Sequence, residues 1–518
     1  MVVVNAQKTG AELNHSRILN VNRWSGYPEV NEFVDDIYNE HFSDLTKIRK
    51  KHLKVVLLDL YVCWYWDPEM CLGVHLNKNK YKAGSINSAL NISDLTILVV
   101  KRLKKDHFIY LRKGNTIFPK ISRMWPTGRL IELFQKASFS ILDIGLAPNT
   151  NTIVLRDKDP KYIPKNEKDK IPQIDIEYEF TSATEAMREV LMDYNDKLYK
   201  THIDVANLTK PYIERKKGKK QKRPSKIQIN QHNKFVRRIF NDGSFDRGGR
   251  FYGGFWQQIG KEHRSHIQID GQRVIEIDFS GWHIQLLYAR KNINYFTKYG
   301  TNADPYDIHV PELNDPEYKR WLVKTVILIA VNARSEKSAF RAIQHTDTPE
   351  DLIRPTGLKL SNDLLTSMLD KLKAKHSEIA EFFCSGAGIE LQNVDGKITE
   401  KLIKSFTASN IPILTVHDSY LVPEQYNHDL FTEMLEAYKE IALEGQHIEA
   451  DGLAGLETEL AYTKVQQLGY YDEAIDYEEA GGGEEHQKIV ALKDKLLIET
   501  KAYQRRLSDF QEWVQKTP

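Results

Sequence analysis

The spacing of apolar positions changes along the chain and sorts its 518 residues into readable stretches. Residues 1–160 mix short apolar runs with polar breaks. Within them, Ser85–Leu90 predicts a short helix and Asn91-Ile92-Ser93 a turn. Leu95, Leu98, Val99 and Leu103 predict a second helix by their three- and four-residue steps. Phe108–Leu111 and Thr116–Phe118, on either side of Lys113-Gly114-Asn115, predict a hairpin. Helix, turn, helix and hairpin over about 81–118 give the outline of a winged helix. Lys101, Arg102, Lys104 and Lys105 close its second helix, so the module either docks on DNA or packs with a solvated basic edge. Residues 183–199 predict a further helix, with Met187, Val190, Leu191, Tyr194 and Leu198 on one face.

Composition then interrupts the periodicity. From Arg215 to Lys226, eight of twelve positions are basic: Arg215, Lys216, Lys217, Lys219, Lys220, Lys222, Arg223 and Lys226. Like charges repel and the run has almost no apolar residue, so it cannot form a packed element. It is either a solvated linker or a loop that grips backbone phosphate, and its place ahead of the next segment favours the second. Residues 161–226 therefore read as a helical connector and basic run. The strongest patterns lie in 227–465. Val274–Phe279 predicts a strand, and Ile284 onward a buried helix. Tyr318–Ala333 predicts a helix that carries Arg320, Lys324, Leu328 and Asn332 on one face. Ile411–Pro423 predicts a hairpin of two apolar strands around His417-Asp418-Ser419. An acidic, glycine-bearing linker follows at 466–488, then a C-terminal helix at 489–518. Its stripe of Ile489, Leu492, Leu496, Tyr503, Leu507, Phe510 and Val514 fits a helix that lies on the body or binds a protein partner.

Charge alters this picture little. The formal net charge is +2, so any contact with nucleic acid rests on local patches. Cys63, Cys71 and Cys384 form no CxxC pair and cannot all pair off, which argues against a disulfide framework and fits a reducing interior. The first ten residues have no basic n-region of a signal peptide. No stretch has the apolar length of a membrane helix. A cytoplasmic protein without a membrane partner is expected.

The candidate chemistry lies in 227–465. Asp278 falls where a strand ends and the chain turns, so rigid elements position its carboxylate. Asp418 falls at the tip of an apolar hairpin, where a carboxylate is costly unless paired or metal-bound. Two such residues on adjacent strands can clamp two Mg²⁺ about 3.5–4 Å apart. Arg320 and Lys324, one helical turn apart, form a fork for a triphosphate. Each residue also has a plainer reading: Asp278 as a turn residue, His417 as a hydrogen-bonded histidine, His283 as a core histidine. The glycine cluster from Gly248 to Gly254 fits a tight turn better than a phosphate cradle.

Asp278-Phe279-Ser280, followed by its apolar helix, resembles motif A of the family A DNA polymerases. Arg320-x-x-x-Lys324 resembles their motif B on the fingers helix, and Val416-His417-Asp418 their motif C. Gln258-Ile259 followed by Arg264 is similar to the segment ahead of motif A. The resemblance spans about 230–465 and extends to the phage-type single-subunit RNA polymerases. It implies an α+β protein, with a right-handed palm-and-fingers polymerase core after an N-terminal helical, winged-helix-like region. It implies template-dependent extension of a nucleic acid 3′ end from nucleoside triphosphates, with Mg²⁺ as cofactor and Mn²⁺ as a substitute. Asp278, Asp418 and the Phe279 carbonyl would hold metal. Arg320 and Lys324 would bind the triphosphate, His417 would lie near the primer terminus, and Arg264 would hold phosphate or template. His283, Asn332 and Leu328 would face the sugar and base.

The departures bear on the product. The Tyr-Gly that ends the family's motif B is here Asn332-Ala333, and its aromatic or Met position one turn earlier is Leu328. The Glu five residues after the motif A Asp is His283. His417-Asp418-Ser419 matches the RNA enzymes, whereas the DNA enzymes usually have Glu in third place. A DNA polymerase is slightly favoured, because a bulky His283 can exclude a 2′-hydroxyl. An RNA polymerase or primase of the same fold, and a DNA-binding replication or regulatory protein with a degenerate palm, remain the alternatives. No series of exonuclease-like carboxylates precedes the core.

Overall fold

The computed structural model describes residues 7–81, 89–114, 121–164, 171–215, 226–279, 281–300, 303–349, 352–442 and 499–517. Helices and strands are mixed throughout. Among the described residues, no helix is long and apolar enough to cross a membrane. These residues divide into two compact units. One holds the chain up to Arg238, Tyr252–Arg273 and the C-terminal stretch from Glu499; the other holds Ile239–Phe251 and the chain from Val274 to Ala442. Of the expected core at 227–465, residues 227–238 and 252–273, Arg264 among them, therefore group with the first unit.

The first unit is built on the helix Lys47–Trp66, buried without interruption from His52 to Cys63. Thr46 starts it by accepting from Arg49 N. The helix expected from Leu95 is Leu95–Lys105, which buries Ile97, Val99, Val100 and Leu103. Leu98, read with the apolar face, is 44% exposed, and Val100 takes its place in the core. The strand expected at Phe108–Leu111 is Ile109–Arg112. Its antiparallel partner is Ser122–Pro126, and both belong to a four-stranded sheet with Cys71–Val74 and Ser16–Ile18. Residues 82–88 and 115–120 of the winged-helix outline lie outside the described residues. The helix expected at 183–199 is Ser182–Tyr199; it buries Leu191, Tyr194 and Leu198 and opens on a capping box between Thr181 and Thr184. Cys63, Cys71 and Cys384 are free thiols.

The described part of the C-terminal helix, Lys501–Lys516, lies on the first unit. Tyr503 Oη donates to Gln268 Oε1 at 2.6 Å, Arg506 Nε to Asp204 Oδ2 at 2.6 Å, and Trp513 Nε1 to Asp143 Oδ1 at 2.8 Å. The stripe ends on Trp513 instead of Val514, because the indole finds both Asp143 and an edge-on contact with Tyr199. Residues 489–498, and the linker at 466–488, lie outside the described residues.

In the second unit, Val274–Asp278 of the strand Gln272–Asp278 pairs antiparallel with Ser419–Pro423, which pairs in turn with Leu414–Val416. Ile275, Ile277, Tyr420 and Val422 form one buried face by the two-residue alternation of strands. Three helices, Trp282–Arg290, Gly388–Ala408 and Asn427–Ala442, pack together, and the last packs against Ser419–Pro423. The helix Pro316–Asn332 packs against Asn362–Lys375 and Gly388–Ala408. It opens on Asp315, whose side chain accepts from Tyr318 N at 2.8 Å, with Pro316 at its first turn.

Candidate active site

The strand register decides where the two expected carboxylates stand. Asp278 is paired with Ser419, and Phe279 N donates to the Asp418 carbonyl at 3.3 Å. Asp278 at its strand end and Asp418 at its turn are therefore neighbours, both half-buried. His417 and Asp418 form a two-residue turn between the paired Val416 and Ser419. His417 carries φ +58°, a left-handed conformation rare outside glycine and asparagine, and its side chain is exposed. Ser419 points into the protein, where its hydroxyl donates to Glu276 Oε1 at 2.7 Å. Ser280 lies outside the described residues.

Arg320, Lys324, Leu328 and Asn332 form the exposed face of Pro316–Asn332, opposite buried Leu322, Val323, Val326, Ile327 and Ala330. Tyr306 connects this helix to the carboxylates. Its ring centroid lies 5.5 Å from the Arg320 guanidinium and 5.9 Å from the Lys324 ammonium. Burial holds its hydroxyl well above the usual range; Asp304, Asp418 and Asp278 add to this and Arg320 opposes. Asn332 Nδ2 donates to Leu328 O at 2.8 Å.

Two residues that the sequence did not single out, Asp395 and Arg250, act electrostatically on this region. Asp395, on Gly388–Ala408, is fully buried and accepts from Arg250 Nε at 2.6 Å and from Trp282 Nε1 at 3.2 Å. Burial pushes its carboxyl up to about 6, with Asp418 adding and Arg250 opposing. Arg250 is carried by the strand Ser244–Tyr252, which runs through the part of the glycine cluster where a tight turn was expected. Gly249, at φ +88°, lets the strand Ser244–Tyr252 approach Phe240 and Asn393 more closely than any side chain could. His283 is half-buried and within electrostatic reach of both Arg250 and Asp418. Burial, and then Arg250, lower its pKa to about 4 while Asp418 opposes, so the ring is neutral near pH 7.

The remaining described candidates belong to the first unit. Arg264, in the first unit, donates to Ile259 O at 3.2 Å. Of the basic run, Lys216, Lys217, Lys219, Lys220, Lys222 and Arg223 lie outside the described residues. Arg215 donates to Gln258 O at 3.0 Å, and Lys226 is held by Asp67 at 3.5 Å and over the Tyr212 ring. The run joins two antiparallel strands, Tyr212–Glu214 and Lys226–Gln228.

Two carboxylates and a backbone carbonyl are hard oxygen donors of the kind Mg²⁺ takes, with substrate phosphates to complete its shell. Among the described residues, no group of three or more His, Cys, Asp or Glu is arranged to hold a metal by protein ligands alone. The chain matches no family model, no curated protein and no solved structure. Its functional reading therefore rests on this geometry.

Proposed function

We propose that the chain is a template-dependent nucleotidyltransferase with a palm-and-fingers core, extending the 3′ end of a nucleic acid, with DNA as its product. The observation that carries this is the pairing of Asp278 with Ser419, which makes Asp278 and Asp418 neighbours at one end of the strands. Tyr306 adds support, because it senses both carboxylates and also lies under Arg320 and Lys324. Carboxylates beside an exposed cationic helix face suit phosphoryl transfer, which is mostly positioning and charge neutralisation.

In this reading the 3′-hydroxyl of a primer attacks the α-phosphorus of a nucleoside triphosphate. A new P–O bond forms and pyrophosphate leaves. Asp278, Asp418 and the Phe279 carbonyl would hold Mg²⁺ or Mn²⁺, which when bound supplies charge neutralisation and activation of oxygen. Arg320 and Lys324 orient the triphosphate. His417, on its exposed turn, lies along the primer's approach. Neutral His283 restricts the sugar by bulk. The bonded pair of Arg250 and Asp395 sets the charge around Asp418 and His283, as positioning residues. The test is incorporation on a primed template with Mg²⁺ and either dNTPs or NTPs, in wild type and in Asp278→Ala and Asp418→Ala.

A further inference from the structure

The segment 303–315, ahead of the helix Pro316–Asn332, is fixed from one side by hydrogen bonds and meets Arg320 on the other. The His376 ring meets Pro305 O at 2.9 Å, Lys375 Nζ donates to Asp307 O at 2.8 Å, and Lys371 Nζ donates to His309 O at 2.9 Å. Tyr288 Oη lies 3.0 Å from the second nitrogen of His376, so that ring is held at both ends. Within the loop, Tyr306 N donates to Asp304 Oδ1 at 2.9 Å. This leaves Oδ2, which accepts from Arg320 Nη1. One carboxylate oxygen shapes the loop and the other grips the cation above Tyr306.

A carboxylate and a phosphate use the same guanidinium donors, so they compete for Arg320. The Asp304–Arg320 pair is partly open to water, with side chains 33% and 54% exposed. An ion pair so exposed is weak and is displaced readily by a polyanion. We propose that Asp304 is a built-in competitor for Arg320. It holds the guanidinium over Tyr306 until a triphosphate displaces it, and it thereby sets the affinity of the nucleotide subsite. This rests on the nucleotide-binding role given above to Arg320.

Asp304→Asn isolates the charge, because the amide keeps an oxygen for Tyr306 N–H and loses only the negative grip on Arg320. Titration calorimetry with inorganic tripolyphosphate reads the subsite without turnover. The Kd should fall about two- to fivefold in Asp304→Asn, the range expected for loss of a weak competing ion pair. Arg320→Ala and Asp304→Asn/Arg320→Ala should bind alike. An unchanged or weaker affinity in Asp304→Asn, a gain that survives Arg320→Ala, or no tripolyphosphate binding by either protein would overturn the proposal. Primer extension by wild type reports separately on the polymerase reading. Extension without the calorimetric gain removes the competitor alone; the gain without extension removes the polymerase alone.

Discussion

Gly388 controls how closely the end of the helix Pro316–Asn332 approaches its neighbour, and Gly388→Ala should be destabilising even though alanine is the better helix former. A methyl group there would lie 2.1 Å from Asn332 Oδ1, 2.6 Å from Asn332 Cγ and 3.2 Å from Asn332 Cα. Asn332 is the last residue of Pro316–Asn332, and its amide is already committed to Leu328 O. Two effects oppose each other. Helix propensity favours alanine by at most about 1 kcal/mol, and by less at the first residue of a helix such as Gly388. Overpacking costs about 1–3 kcal/mol, because the side-chain overlap can be relieved only by moving Asn332, and the crowding of its backbone only by moving the helix. The net expectation is a loss of about 1–2 kcal/mol, read as a lower urea midpoint with unchanged m. In an Asn332→Ala background the two shortest overlaps disappear. The cost of Gly388→Ala should then shrink by at least about 1 kcal/mol, measured as a double-mutant cycle. Equal costs in the two backgrounds, or a Gly388→Ala protein as stable as wild type, would refute the reasoning.

The other expectations concern charge and the sugar. Lys324→Ala should lower kcat/KM for the nucleotide by an amount equal to about 1.5–3 kcal/mol of a charge-assisted contact. A collapse of DNA affinity with nucleotide kinetics intact would make the helix a template binder. His283 is neutral in the fold, with its pKa lowered to about 4 from 6.5. The unfolded chain therefore takes up this proton first, so the contribution of His283 is full above pH 6.5 and is lost as pH falls towards 4. Between pH 7 and 4, wild type should lose up to about 3 kcal/mol more stability than His283→Gln, by urea denaturation at each pH; parallel losses would remove this assignment. His283→Ala should also relax the dNTP:NTP ratio of kcat/KM, and an untouched ratio would put sugar selection elsewhere. Replacing Lys219, Lys220, Lys222 and Arg223 with alanine should flatten the salt dependence of nucleic-acid binding by about one unit of log–log slope per lost contact. An unchanged slope would make the run a linker.

Local pattern was enough for the parts of the site that sit on regular elements. The four-residue steps from Arg320 to Asn332 give the exposed face of their helix, and apolar runs either side of His417-Asp418 give the hairpin. What local pattern could not reveal depends on distant pairing. Asp395 looks like an ordinary helical acid, yet it is buried because Arg250, 145 residues earlier, reaches it. A signal did exist: Asn393, Asp395 and Thr399 occupy buried positions of a helix that also buries Leu391, Ile398 and Leu402, and polar residues there imply partners. Glu276 is hidden in the same way, inside the strand alternation, and only the fold brings Ser419 to bond it. Asp304 reads as a turn residue, which it is through Oδ1; only the fold brings Oδ2 to Arg320. The division into two units was also not legible, because three separated stretches of chain make up the first of them.

The central claim is that Asp278 and Asp418 act together in nucleotidyl transfer. The most direct measurement is single-nucleotide incorporation on a primed template with Mg²⁺, for wild type, Asp278→Ala, Asp418→Ala and the double variant, each checked for an unchanged urea midpoint. The account predicts incorporation by wild type only, with both single variants as inactive as the double, because the two carboxylates work as one unit. Folded single variants that retain activity within a few-fold of wild type would contradict it, and so would a folded wild type that incorporates neither dNTPs nor NTPs.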